Sequence, residues 1–299
     1  MNEFKTKKAL ILLNAYAQLS AFTYQADRLT EELVKLGIKV DVRRNDEFYC
    51  YVANGGVLES KLKDCDFCVY LDKDKYTSQM LEKSGLRLFN SHDSIQACDD
   101  KMTTAILLSD HGVPMPKTLA GLLCYDLDES VKSGSLDIVE KQLGYPLIVK
   151  TSYGSLGKGV FKVDGREELE KVSEKLKGVP HLFQEFISSS RGKDIRVIVI
   201  GGKAVVGMLR KSKGDFRSNI ELGGVGEKIN LPDAVIELAE KVAKILKLDY
   251  CGVDVLIGEE GYYICEVNSN AFFGGIEKVT DFNVAKAYAE YIYSCMYRR

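Results

Sequence analysis

Long apolar runs are missing from this chain of 299 residues. No stretch approaches the roughly 18–20 consecutive apolar residues a bilayer-spanning helix needs, which argues against a membrane partner. Charge of one sign is missing too. The 41 Lys and Arg against 43 Asp and Glu leave a net charge of −2, so no basic field speaks for nucleic acid. Histidine is scarce, with only His92, His111 and His181, and none stands beside a Ser or Cys in an interpretable nucleophile pattern. A G-x-S-x-G elbow is also absent. What remains is chemistry that needs only positioning, cations and a metal, and phosphoryl transfer is of that kind. The opening MNEFKTKKALILLNAY sets lysines before an apolar run. That run is about five residues long, shorter than the roughly 7–15 of a secretory h-region. It reads as a first β-strand rather than a signal.

What is present describes a globular protein, 45% apolar and 28% charged. The length exceeds one small core and predicts two or three lobes. Eight cysteines, at 50, 65, 68, 98, 124, 251, 265 and 295, are scattered through expected strands and helices. That is the usage of a reduced, cytoplasmic protein rather than a disulfide framework. Cys65 and Cys68 form a single C-x-x-C, which we read as small buried hydrophobes at a strand entrance.

Along the chain, KKALILL at 7–13, IKVDVRR at 38–44, CDFCVYLD at 65–72 and LRLFN at 86–90 read as strands. Helices are expected at 22–36, ended by Gly37, and at 76–84. This alternation predicts an open parallel sheet with helices on its faces, in an N-terminal lobe over 1–92. A single helix is expected at 93–112, with Asp93 or Ser91 as its cap, before Pro114 and Pro116 break the pattern. Another helix is expected at 129–143, then strands GYPLIVK and VFKV, a charged helix at 166–177 and a strand at 181–187, making a small central lobe over 93–188. The remainder, 189–299, opens on a hairpin turned at Gly201-Gly202 and continues through a loop, KGDFRSNIELGGVGEK. It closes with a helix at 233–247, a second hairpin and a helix from about 282 to 297.

That second hairpin, CGVDVLIGEEGYYICEVNSN at 251–270, carries Asp254 on one strand and Glu266 and Asn268 on the other. A three-residue Glu-Glu-Gly loop with Gly261 left-handed would set Gly258 opposite Tyr262 and so Asp254 opposite Glu266. Asn268, two residues on, shares that face. Three oxygen ligands on one face suit a hard cation such as Mg²⁺, which also keeps phosphates. A two-residue turn would instead put Asp254 opposite Cys265, and ordinary solvated strand residues are the plainer alternative. About a hundred residues earlier, Gly154, Gly157 and Gly159 space as G-x-x-G-x-G between two strands. That is neither a dinucleotide fingerprint nor a Walker A loop. It is a flap whose free N–H groups can cover phosphates, with Lys150 at the end of the preceding strand and Lys158 inside it. A dinucleotide oxidoreductase would need G-x-G-x-x-G after the first strand, where the sequence is LLNAYAQLSAF.

The order of elements from Asn90 to Glu277 resembles the ATP-grasp superfamily, and within it the RimK-type carboxylate–amine (alpha-L-glutamate) ligases. DDKMTTAILLSDHGVPMP resembles the family's D-K helix, LIVKTSYGSLGKGV its strand-lysine and flap, QEFI its hinge strand, GKDIRVIVIGGKAVVGMLRK with GDFRSN its most diagnostic segment, and GVDVL with CEVNSN its metal strands. The resemblance implies an α/β and α+β ATP-grasp fold with a Rossmann-like pre-ATP-grasp domain at the N-terminus. It implies that ATP phosphorylates a substrate carboxylate and that an amine, such as that of glutamate, attacks the acyl phosphate. Two Mg²⁺ ions, with Mn²⁺ as an alternative, would be held by Asp254, Glu266 and Asn268. Lys101 and Lys150 would meet phosphate beneath Gly154, Ser155, Gly157 and Gly159. Gln184, Glu185, Phe186 and Ile187 would bind ATP as the hinge strand, whose backbone would hold adenine through Glu185 and Phe186, and Asp194 would contact the ribose. Arg217, Ser218 and Asn219 would line the nucleotide and acyl-phosphate region. The Arg210 fork would suit a carboxylate or the tetrahedral intermediate. Arg196 stays open between a structural and a functional role. The resemblance also implies a homodimer or homotetramer. A nucleotide-binding regulatory protein using the same pocket is the alternative reading. Many RimK-type enzymes carry Ser-Pro-Gly after the metal asparagine, whereas here Ser269 leads into Asn270-Ala271-Phe272-Phe273-Gly274-Gly275. Substrate-specific residues are therefore expected there and at Asn14–Phe22.

Overall fold

The computed structural model describes residues 6–155, 157–212, 214–218 and 223–297. The first lobe comprises β1 (Lys8–Leu13), α1 (Ser20–Lys35), β2 (Lys39–Arg44), β3 (Cys50–Val52), β4 (Leu58–Ser60), β5 (Phe67–Leu71), α2 (Lys75–Lys83) and β6 (Arg87–Phe89). Its main sheet has the order β2-β1-β5-β6, all parallel. The apolar runs of β1 and β5 are buried from end to end, as strands covered on both faces must be. A small β3–β4 hairpin was not foreseen in the sequence.

Helices α3 (His92–Asp99) and α4 (Lys101–Leu108) replace the single expected helix. The break is at Asp100, which leaves helical geometry and accepts from the backbone N–H groups of Met102 and Thr103. An aspartate that caps a new helix competes with continuation of the old one. Lys101 thereby becomes the first residue of α4. Then come β7 (Thr118–Ala120), α5 (Ser133–Leu143), β8 (Leu147–Thr151), β9 (Val160–Val163), α6 (Arg166–Leu176) and β10 (His181–Glu185), with an antiparallel sheet ordered β7-β10-β8-β9. Leu147, Val149 and Phe183 face a core with Leu136 and Leu169, so the alternate residues Ile148, Lys150 and Gln184 face the other way.

The third sheet, β13-β12-β11-β14-β15, contains β11 (Lys193–Ile200), β12 (Lys203–Lys211), β13 (Val225–Lys228), β14 (Tyr250–Ile257) and β15 (Tyr262–Asn268). It is packed by α7 (Asp233–Ile245); α8 (Gly274–Thr280) and α9 (Val284–Tyr297) follow. Strand β13 lies where a loop was expected, and α8 was not expected. Residues of α3 and α4, predicted to open the central lobe, pack instead with the third sheet: Ala97, Cys98 and Leu108 share a core with Val197, Val242 and Val253. The chain end returns to the first lobe, where Ile276, Tyr288 and Ile292 share a core with Ile11 and Leu29. Among the described residues no helix is long and apolar enough to cross a membrane.

The β14–β15 register departs from the expected one and still reaches its main consequence. Ile257, not Gly258, stands opposite Tyr262, Gly258 N–H donates to Gly261 at 2.7 Å, and Gly261 lies outside the left-handed region. Continued unchanged, that pairing would put Asp254 opposite Cys265. A bulge at Cys265 shifts it by one residue, so Val255 faces Ile264 but Asp254 faces Glu266.

Candidate active site

A cleft of about 870 Å³ lies between the second and third sheets. Its walls include Ile148 and Lys150 of β8, Gln184 and Glu185 of β10, the following Phe186 and Ile187, and Gly154, Ser155 and Gly157 of the flap. The third sheet contributes Asp194, Arg210, Asp254 and Glu266, and Lys101, Arg217 and Ser218 also line it. Gly159 shapes the flap from behind: its φ is +74°, and a Cβ there would stand 2.6 Å from the Thr151 hydroxyl. Asn219 lies outside the described residues. Asn268 is separated from the cleft and lines an adjoining cavity.

Two cations fasten the flap. Lys101 Nζ donates to the Gly154 carbonyl at 2.8 Å and lies 3.5 Å from Glu266, while Arg217 donates to the Gly157 carbonyl at 2.6 Å. Lys150 is only 5% exposed and has no carboxylate partner among the described residues. A buried ammonium with no counter-ion calls for an anionic ligand, and phosphate fits that demand.

A chain of buried charges crosses the third sheet. Asp194 faces Arg210 across β11–β12, and Arg196 faces Asp254 across β11–β14. Arg210 grips Asp194 with Nε at 2.7 Å and a terminal nitrogen at 2.5 Å, and that nitrogen reaches Asp254 at 3.0 Å. Arg196 grips Asp254 through Nε and, at 2.8 Å, through a terminal nitrogen. Burial alone would raise the Asp254 carboxyl, but the two arginines hold it below its ordinary range. The guanidinium of Arg196 has room because residue 252 is glycine: a Cβ there would come within 3.2 Å of it. Among the described residues no group of three or more His, Cys, Asp or Glu forms a metal cage. The donor set is Asp254, Glu266 and the Asn268 amide, all hard oxygens on one face, which suits Mg²⁺ once the arginines yield their share of Asp254. Cys265, the bulged residue, also lines the cleft, and burial pushes its thiol up to about 11 against the pull of Lys150. That leaves it protonated and an inert wall.

The adjoining cavity, about 1010 Å³, shares Ser155 and Glu266 with the cleft. It also contains Asn14, Phe22, Asn268, Asn270 and Phe272, so both stretches expected to select substrate border it. Sequence reasoning missed Asp72, which accepts from Asn14 at 3.1 Å, Asn45 at 2.8 Å and the Lys73 N–H at 2.7 Å. The signal was available: these residues follow the carboxyl ends of β1, β2 and β5, where open parallel sheets hold ligands. Asn90 was missed as well. Its side chain donates at 2.8 Å to the carbonyls of Tyr250 and Ser269, and accepts from the N–H groups of Asp249 at 2.7 Å and Tyr250 at 3.0 Å. It thus ties together the two ends of the metal hairpin. Cys68 is buried in the first lobe's core with Cys65 packed on it.

Fold and site together define an ATP-grasp protein. D-alanine–D-alanine ligase from Bacillus anthracis, solved with ATP, shares the fold at a TM-score of 0.75, covering 98% of each chain at 19% identity. Residues 98–292 match the model of the RimK-like ATP-grasp domain, and the chain belongs to that family. It is 39% identical over 234 residues to human N-acetylaspartylglutamate synthase A, covering 77% of this chain and 58% of that one. It is 35% identical over 217 residues to a probable alpha-L-glutamate ligase of Maridesulfovibrio salexigens, covering 72% of this chain and 69% of the relative. The chain therefore spans somewhat over half the length of the human protein.

Proposed function

We propose that the protein is an ATP-dependent carboxylate–amine ligase that joins the amine of an amino acid, glutamate in the first instance, to a carboxylate acceptor. The observation that carries this reading is the contact between the two cavities. A cleft with phosphate-seeking cations shares Ser155 and Glu266 with a second cavity, beside the expected metal face. The glutamate assignment is supported by the names of both relatives, which carry that amino acid.

In this reading Lys101 and Lys150 hold phosphate oxygens, and the flap from Gly154 to Gly159 excludes water. The backbone of Glu185–Ile187 holds adenine. Asp194, Arg217 and Ser218 bound the nucleotide. Asp254, Glu266 and Asn268 would hold Mg²⁺, two ions or one, with Mn²⁺ as a substitute, and the metal would supply charge neutralisation to the phosphates. The acceptor carboxylate is phosphorylated at the junction, and the amine displaces phosphate to give an amide. Arg210, with Arg196 beside it on Asp254, would supply the guanidinium charge that stabilises negative charge developing on that carbon's oxygen. The cysteine usage supports a cytoplasmic setting, and a homodimer or homotetramer is part of the proposal. ADP release with Mg²⁺, glutamate and a panel of acids tests it. Turnover should require both co-substrates and should collapse in Glu266→Ala. A regulatory nucleotide-binding protein would show melting-point shifts with ATP and no co-substrate-dependent ADP.

A further inference from the structure

The walls of the second cavity restrict what acid it can take. The cavity sits between the carboxyl ends of β1 and β5, where the strand order β2-β1-β5-β6 reverses direction. Its cations among the described residues are Lys73 and Arg196, and both are already engaged. Lys73 lies 3.1 Å from Asp99, and Asp254 holds Arg196 through Nε and one terminal nitrogen, which leaves a single guanidinium nitrogen for one carboxylate. Asp72, 7% exposed, adds a negative charge that is fully hydrogen-bonded in place by two amides and a backbone N–H. A second or third carboxylate on the ligand would thus enter without a free counter-ion and against the field of Asp72.

Asn14, Asn268 and Asn270 add neutral amides to the wall, and its remaining side chains, away from Ser155 and Glu266, form an apolar stretch. Phe22 and Phe272 meet edge to face, centroids 4.8 Å apart at 89°, and form a fixed aromatic corner. Leu19 and Tyr16 continue it to the mouth, 49% and 89% exposed. Large apolar side chains left in water around a cavity mark a surface that an apolar ligand covers. We infer that the acid activated by this protein carries a single carboxylate on an apolar body of about aromatic size. Its carboxylate lies at the Ser155–Glu266 junction beside Arg196, and its body lies against Phe22 and Phe272. The inference rests on the ligase reading for which group is activated, but the occupant can be tested without turnover.

The test is calorimetric titration of the full chain, loaded with Mg²⁺ and a non-hydrolysable ATP analogue, with 3-phenylpropionate, succinate and citrate. The monocarboxylate should bind at least about tenfold more tightly than either polyacid, the scale set by apolar pocket contacts. Phe272→Ala should weaken it by about the same factor, with the nucleotide-induced rise in melting temperature reporting that the variant is folded. Tyr16→Arg, at an exposed site, should narrow the gap by improving citrate. Succinate or citrate binding as tightly as 3-phenylpropionate, binding of none of the three, or indifference to Phe272→Ala would each overturn the inference. Should 3-phenylpropionate bind as expected yet release no ADP with any amine, the ligase reading falls and the assigned occupant stands.

Discussion

Arg210→Met tests the charge chain beneath the cleft. Arg210 is 3% exposed and carries both oxygens of Asp194, which is 6% exposed. The substitution keeps the aliphatic volume and removes the cation. Asp254 retains Arg196, so Asp194 is the carboxylate left buried without a partner. Stranding one member of a buried pair costs about 3–5 kcal/mol. At roughly 2–4 °C per kcal/mol, the melting transition should fall by about 6–20 °C. Scanning calorimetry without nucleotide measures it. The double variant Asp194→Leu/Arg210→Met should recover most of the loss, because a buried pair replaced by apolar groups is close to neutral. A single-variant loss below about 1 kcal/mol would refute the reasoning, because that is the value of a solvated surface pair. A double variant no more stable than the single would also refute it.

Three further outcomes are expected. Gly159→Ala adds a methyl in the left-handed region against Thr151; about 1–2 kcal/mol of strain should appear as roughly tenfold weaker nucleotide binding, read by titration, because the flap must distort. Asn90→Ala removes four hydrogen bonds at the base of the metal hairpin and leaves backbone groups unpaired, so urea unfolding should show a loss of about 2–4 kcal/mol. The Asp254 carboxyl is held below its ordinary 3.8 by Arg196 and Arg210 against the burial that would raise it. Its contribution to stability is therefore complete above that value and is lost as pH falls through the depressed one. Melting temperature should show this dependence only below about pH 4, and Arg210→Met should weaken it.

Much of the fold was legible because it rests on local signals. The apolar runs of β1 and β5, the Gly201-Gly202 turn and the amphipathic α7 each carry their own period. What escaped depends on competition or on long-range packing. Asp100 could continue a helix or cap one, and only its two N–H partners decide. The bulge at Cys265 has no residue signature. The face of Asp254 was foreseen from a register the structure does not use, and the bulge supplies the shift that the assumed loop would have supplied. The site splits the same way. Lys101, Lys150, Gly154, Gly157, Asp254 and Glu266 belong to motifs, and the cleft gathers them. Arg196 and Arg210 could not be read as partners of one aspartate, because that requires the register of three strands. Asn90 acts through backbone groups some 160 residues away, which no local pattern reports.

The central claim is that an acceptor carboxylate is activated by phosphoryl transfer at the junction of two cavities. An acceptor labelled with ¹⁸O in its carboxylate, incubated with ATP, Mg²⁺ and glutamate, tests it most directly by mass spectrometry of the products. One labelled oxygen should appear in the released phosphate for each amide formed, with ADP in equal amount. Unlabelled phosphate accompanying amide, or AMP and pyrophosphate in place of ADP and phosphate, would contradict the account.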